Sequence, residues 1–350
     1  MLSIEPSVQQ HLEDSLLKVK NEYSADSAGG IIMNPQNGEI YALGVVPDFN
    51  PNIYNEEKDA GIFTNPLIEN VYEMGSIIKP LTVAAGLDQG VITAQTTYND
   101  KGSLTLDGRT FYNYDGKARG VVPMQEVLSQ SLNTGVAFIV SRLGNARFAE
   151  YLRKYGFGEE TGIDLPGELP GLVKNLESTR DIEYATASFG QGIALTTIGT
   201  VRALASLGNG GLLVTPHVVK EERYKVGINK MTSSDTDKRL LKPETSEEIS
   251  RMLVEVVDKA LLGGKIKMEH YTIAAKTGTA QISKGAGGGY YDDRFLHSFF
   301  GYFPAYKPQF IVFFYMYYPK NVRFASETLT VPFSETAKFL INYYQIPPDR

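Results

Sequence analysis

Within "YEMGSIIKPL", Ser76 and Lys79 stand three residues apart, between Gly75 and Pro80. Residues at that spacing share one face of a helix, so a hydroxyl and an amine can point the same way. Proline is poorly tolerated inside a helix but accepted near its beginning, so Pro80 predicts a helix starting close to Ser76. A serine there sits at the positive end of the helix dipole, where a developing negative charge is favoured. The geometry suits a nucleophile with its base in the same turn. Spacing alone is cheap, however. Ser15 and Lys18 repeat it inside the first predicted helix, where it marks a helix face.

Two further stretches carry candidate chemistry. In "SQSLNTG", Ser131 precedes Asn133 by two residues. The hydroxyl can relay a proton and the amide can hold a substrate carbonyl. The same residues, with Gly135, also read as a plain helix break. In "AAKTGTAQ", Lys276, Thr277, Gly278 and Thr279 fall on a predicted strand. Lys276 and Thr277 can bind a carboxylate by charge and hydroxyl, and the Thr279 amide is a candidate oxyanion donor. A glycine inside a strand marks close approach of another part of the chain, or else a tolerated weak point in an edge strand.

The elements that must position these residues follow from periodicity. After Pro6, Val8, Leu12, Leu16 and Val19 form a helical stripe. "AGGIIMNPQNGEIYALGVV" reads as a hairpin around Pro35-Gln36-Asn37-Gly38. From about Gly75 to Gly263 the pattern is mainly helical. One helix is marked by Ile198, Val201 and Ala205 with a stop at Gly208. Another carries Ile249, Leu253, Val256 and Ala260 behind a capping box of Thr245 and Glu248. "YTIAAKTGTAQI", "HSFFGYF" and "QFIVFFYMYY" read as three strands, and a helix bearing Ala337, Leu340, Ile341 and Tyr344 follows Ser334. The expected fold is α/β of the α+β type: an antiparallel sheet flanked by N- and C-terminal helices, with an all-helical subdomain inserted between its strands. In a single domain of residues 1–350, the sheet part is expected at about 1–75 and 264–350 and the helical part at about 76–263. The irregular stretches are Glu221–Asp237 and Gly285–Gly289, the second read as a lip between two strands.

Composition narrows the chemistry. The 350 residues are 42% hydrophobic and 21% charged, ordinary for a globular chain. Forty acids against 34 bases give a net charge of −6, which disfavours a nucleic-acid partner. The absence of cysteine removes thiol nucleophiles, disulfides and thiolate metal sites. His11, His217, His270 and His297 show no metal-ligand spacing, so no metal and no cofactor is expected. His297 opens a strand near the proposed site, but no triad partner is visible, and it reads as a structural or rim residue. The nine-residue run Phe310–Tyr318 is a buried strand, too short for a membrane helix.

Taken together, Ser-x-x-Lys, Ser-x-Asn and Lys-Thr-Gly occur in this order, on helix, loop and strand. The chain resembles the penicillin-binding proteins and serine β-lactamases. Within that group it is similar to the transpeptidase domain of a class B penicillin-binding protein. "NPLIENVYEMGSIIKPLTVAAGLDQGVIT", "TGIDLPGE", "SFGQGIALTTIGTVRALASLGNGG" and "HSFFGYFPAYKPQF" extend the likeness over nearly the whole chain.

The resemblance implies a D,D-transpeptidase that crosslinks D-Ala-D-Ala stem peptides of peptidoglycan through an acyl-serine, with β-lactams as covalent inhibitors. It implies Ser76 as nucleophile, Lys79 as base, Ser131 as proton relay and the Ser76 and Thr279 amides as oxyanion hole. A lysine base needs a depressed pKa, which burial and the second cation at Lys276 would provide. Such proteins carry a membrane anchor and a pedestal domain, which reads this chain as a soluble excised domain. The whole protein is then expected on the extracytoplasmic face of the bacterial cytoplasmic membrane, with a membrane-embedded glycan polymerase as partner. A D,D-carboxypeptidase and a β-lactam sensor are the alternatives on the same fold.

Overall fold

The computed structural model describes residues 1–224, 229–232, 238–285 and 288–350. Helix α1 (Pro6–Glu22) buries Val8, Leu12, Leu16 and Val19, the expected stripe, and Pro6 opens it. Strands β1 (Ser27–Met33) and β2 (Ile40–Val46) follow as an antiparallel hairpin. The chain then builds α2 (Lys79–Asp88), α3 (Asn133–Leu143), α4 (Thr197–Ala205) and α5 (Pro243–Glu255). It returns through β3 (Ala274–Ser283), β4 (Tyr290–Phe303) and β5 (Phe310–Tyr317), and closes with α6 (Thr330–Tyr343).

Five strands form one antiparallel sheet in the order β2–β1–β5–β4–β3. Strand β5 lies in the middle with both faces covered, which explains its unbroken apolar sequence. Its side chains still alternate between two cores. Val312, Phe314 and Met316 pack with Val8, Leu12, Phe333 and Leu340 of the terminal helices. Ile311, Phe313 and Tyr315 belong to the core of Ile77, Leu81, Ile198 and Met252 in the helical part. The α+β architecture is therefore the expected one, with the sheet as a wall between the two cores. Among the described residues, no helix is long and apolar enough to cross a membrane.

Four local expectations need correction. The inserted part is not all-helical: it holds three two-stranded pieces, Thr97–Asp100 with Gly120–Pro123, Ser103–Leu106 with Arg109–Tyr112, and Glu221–Arg223 with Asn229–Met231. These strands are too short to show a period, although Asp107-Gly108 is a hairpin signal that would have found the second. Thr245 and Glu248 form no capping box. Helix α5 starts earlier, at Pro243, so Thr245 lies inside it and donates to Asp88 Oδ1 (3.0 Å), while Glu248 pairs with Arg251. The α-helix ends at Glu255, and Val256–Ala260 continues as one wider π-turn. Helix α6 begins at Thr330, before Ser334, because Pro332 is acceptable in a first turn. Residues 225–228 and 233–237 of the Glu221–Asp237 stretch, and 286–287 of the expected lip, lie outside the described residues.

The terminal helix α1 is held to the sheet by burial. Leu12 is fully buried against this core. Leu12→Ala is expected to cost about 3 kcal/mol by lost burial and cavity formation, read as a lower urea midpoint at unchanged slope.

Candidate active site

Ser76 lies in a 3-10 turn, Gly75–Ile78, that runs directly into α2 with Pro80 in the first turn. The expected helix start is there. This turn is pressed onto strand β3 along a seam of glycines. A Cβ at Gly278 would stand 2.7 Å from the Met74 carbonyl and 2.4 Å from Ser298 Oγ. One at Gly190 would stand 2.4 Å from the Gly75 carbonyl. Ser298 Oγ donates to that same Met74 carbonyl at 3.0 Å, and Gly75 N donates to Gly190 O at 3.2 Å. Gly278 thus does what a strand glycine signals: it lets the serine-bearing backbone touch the strand.

Lys79, on the first turn of α2, is 1% exposed. Its Nζ donates to the Ser131 carbonyl at 2.5 Å and lies 3.1 Å from Ser131 Oγ. Lys276, 4% exposed on β3, lies 3.1 Å from the same Oγ and donates to the Thr277 carbonyl. One hydroxyl therefore bridges two buried amines. Burial holds Lys79 well below the ordinary lysine range, and the charge of Lys276 pushes it further down. Burial alone brings Lys276 down to about 8. Both causes favour loss of the proton at Lys79, with Ser131 Oγ lying between the two amines.

Ser131 sits in the connection before α3 with φ +55°, a left-handed backbone unusual for a residue with a side chain. Asn133 is the first residue of α3, and its Nδ2 donates to the Tyr112 carbonyl at 2.8 Å. One amide hydrogen is thereby engaged, leaving the second for a ligand. Thr279 Oγ1 accepts from Ala325 N at 3.0 Å, which ties the segment before α6 to β3. His297 is fully buried beneath that segment, with Nδ1 2.9 Å from Thr328 Oγ1 and Nε2 3.0 Å from the Arg323 carbonyl. Burial lowers it to about 4, so it is neutral and structural.

Ser76, Lys79, Ser131, Asn133, Lys276, Thr277 and Thr279 line one cleft of 780 Å³. The decoy pair is elsewhere, on α1, where Lys18 bonds Glu335 on the surface. The cleft also has residues that sequence reasoning missed, namely Tyr112, Tyr114, Arg323, Phe324 and Ser326. Tyr114 and Phe324 meet edge to face at 5.8 Å. Their one sequence signal is aromatics set in polar loops, which does not distinguish a site from a surface. Chemically, the cleft offers a hydroxyl nucleophile, a desolvated amine, a bridging hydroxyl and a cation for an anionic substrate end.

The model of the penicillin binding protein transpeptidase domain matches residues 28–333. The chain belongs to that family. It is of the class B group. It is 33% identical over 335 residues to stage V sporulation protein D of Bacillus subtilis, covering 95% of this chain and 51% of that protein. It is 30% identical over 331 residues to peptidoglycan D,D-transpeptidase MrdA of Acinetobacter baumannii, covering 85% and 49%. This penicillin-binding protein domain thus spans about half the length of the curated relatives it matches. Its fold superposes with a TM-score of 0.88 on penicillin-binding protein 3 of Mycobacterium tuberculosis complexed with aztreonam, at 24% identity, covering 100% of this chain and 80% of that one. The transpeptidase domain of Burkholderia pseudomallei penicillin-binding protein 3 gives 0.83 at 23% identity, covering 100% and 98%.

Lysine-selective 15N NMR of the domain should show Lys79 titrating below the ordinary lysine range. Removing the neighbouring charge in Lys276→Gln should raise the Lys79 pKa. A downward or absent shift would show that Lys276 does not set the state of Lys79.

Proposed function

We propose that the domain is a peptidoglycan D,D-transpeptidase that works through an acyl-Ser76 intermediate. The observation that supports it most directly is the Ser131 hydroxyl held at 3.1 Å by both Lys79 and Lys276, in the cleft that Ser76 lines. In this reading, neutral Lys79 takes the Ser76 proton as Oγ adds to the carbonyl between the two D-alanines of a stem peptide. The Ser76 and Thr279 amides hold the oxyanion. Lys276 and Thr277 bind the terminal carboxylate, and Asn133 holds a backbone carbonyl of the stem through its spare amide hydrogen. Collapse breaks the peptide bond, and the departing D-alanine amine receives its proton through Ser131 Oγ. An amine from a second stem then attacks the ester, loses its proton to Lys79, and releases the Ser76 hydroxyl.

β-Lactams would acylate the same serine, since their strained amide presents a carbonyl and a carboxylate to the same groups. Work on this substrate puts the site on the extracytoplasmic face of the cytoplasmic membrane. In the full-length protein a membrane-embedded glycan polymerase would supply the strands to be crosslinked.

Incubation with donor and acceptor stem peptides should yield a crosslinked dimer by mass, with loss of one D-alanine. Hydrolysed donor without dimer would instead assign a D,D-carboxypeptidase, and acylation without either product a sensor. Ser76→Ala should abolish covalent labelling by a fluorescent penicillin. Stoichiometric labelling of that variant would sink the nucleophile assignment.

The pH dependence of penicillin acylation should be bell-shaped. The rising limb is deprotonation of Lys79, and lies below the usual lysine range because the charged form is disfavoured. The falling limb lies near 8, where Lys276 loses the charge that holds the carboxylate. A rate that keeps climbing past pH 9 would contradict the assignment of Lys276.

A further inference from the structure

Beside the catalytic cleft lies a second cavity, of 710 Å³, whose walls include Ser27, Asn70, Tyr72, Glu73, Gln281 and Tyr317. Gln281 lines both cavities, so one wall is shared. Glu73 is the cavity's one carboxylate, and no lysine or arginine lines it among the described residues. Its Oε1 accepts from Gly192 N at 3.1 Å and from Tyr290 OH at 3.0 Å, and Oε2 accepts from the same hydroxyl at 2.9 Å. Two donors thus serve a group with about four acceptor positions. Burial raises the pKa of Glu73 against the two hydrogen bonds, so an ammonium brought beside it would favour its charged form. The rings of Tyr72 and Tyr317, 6.0 Å apart and tilted, add π-faces that attract ammonium groups.

The direction of a bound donor brings it to this cavity. Strand β3 is the outer strand of the sheet, and a peptide laid along its free edge follows its two-residue repeat. With the terminal carboxylate at Lys276 and Thr277, and the reacting carbonyl at Thr279, the upstream part of the stem runs on past Gln281 toward Ser283. Both of those residues line the second cavity. Transpeptidation joins stems of one kind. A donor therefore carries, upstream of its D-alanines, the same side-chain amine that another stem offers as acceptor.

We propose that this cavity is a subsite for the side-chain ammonium of the donor stem, with Glu73 as its counter-ion. The inference rests on the transpeptidase reading above. It gives Glu73, three residues before the nucleophile, a specificity role. The charged amine of the donor is held away from the ester, so that it does not compete with the acceptor amine there.

The test uses Nα-acetyl-L-lysyl-D-alanyl-D-thiolactate and its Nε-acetylated counterpart as donors, with released thiol as the readout. Attack by Ser76 breaks the thioester, and thiolactate leaves as the thiol. The ratio of kcat/KM for the two donors isolates the ammonium from any general damage to the site. The free amine should be preferred on the order of tenfold, the scale of one charge-assisted contact. Glu73→Gln should bring the ratio close to one. Because Glu73 also joins Gly192 to Tyr290, a second variant guards against a folding defect: Asn70→Lys, at an exposed rim position, places a like charge in the cavity and should lower the ratio too. A wild-type ratio near one, or a ratio that neither variant moves, overturns the subsite while leaving the transpeptidase reading intact. If neither donor is consumed although benzylpenicillin labels Ser76, the D-Ala-D-Ala substrate reading falls, and the subsite falls with it.

Discussion

The domain depends on keeping a lysine amine out of water. Lys79 is one of its most deeply buried side chains, and its neighbours are a hydroxyl, a carbonyl and another amine. An isolated buried ammonium is costly, and the least expensive response is to lose the proton. Lys276, beyond Ser131 Oγ, reinforces that choice because two adjacent cations would repel. The three residues come from positions 79, 131 and 276, so the chemistry exists only where distant segments meet to within hydrogen-bond distance.

Holding that meeting point requires rigidity from both sides of the sheet. Lys276 stands on an outer strand, which is backed by β4 and the fully buried β5. The terminal helices fill one face and the helical part fills the other. Ser76 reaches β3 because Gly278 lets the Met74 carbonyl come close, Gly190 lets its own loop touch Gly75 from another side, and Ser298 fastens the Met74 carbonyl. The long helices and the glycine seam thus act on the same coordinate, the separation of the serine turn from the strand.

Much of this was legible along the chain, for reasons that differ by element. The stripe Val8, Leu12, Leu16 and Val19 is visible because one helix face is buried and the other is wet. The run Phe310–Tyr318 is visible as a strand because a central strand buries both faces. Pro80 marked the start of α2, and Gly278 marked a close approach, since each residue has few permitted surroundings. What local pattern could not supply was partnership across the chain. Thr245 looks like a cap, yet its hydroxyl serves Asp88. Asn133 looks free to bind substrate, yet one amide hydrogen belongs to the Tyr112 carbonyl. Tyr114 and Phe324 meet from segments more than 200 residues apart, and Glu73 finds Tyr290 at a similar distance in sequence. Such contacts are set by tertiary register, which a single sequence does not display.

Ser131 shows how side-chain contacts can accompany a backbone conformation that the residue type disfavours. A left-handed backbone at φ +55° favours glycine, and costs about 1 kcal/mol for a residue with a Cβ. Glycine there would relax the turn but remove the hydroxyl that touches both lysines. The Lys79 bond to the Ser131 carbonyl holds the peptide in this conformation, so Lys79 also constrains the residue whose hydroxyl it touches. The strain is therefore tied to the presence of Lys79 itself. Removing that side chain would take away a buried amine and one restraint on the Ser131 backbone together. The two residues act as a single device, assembled from a helix start and a helix break that each look ordinary when taken alone.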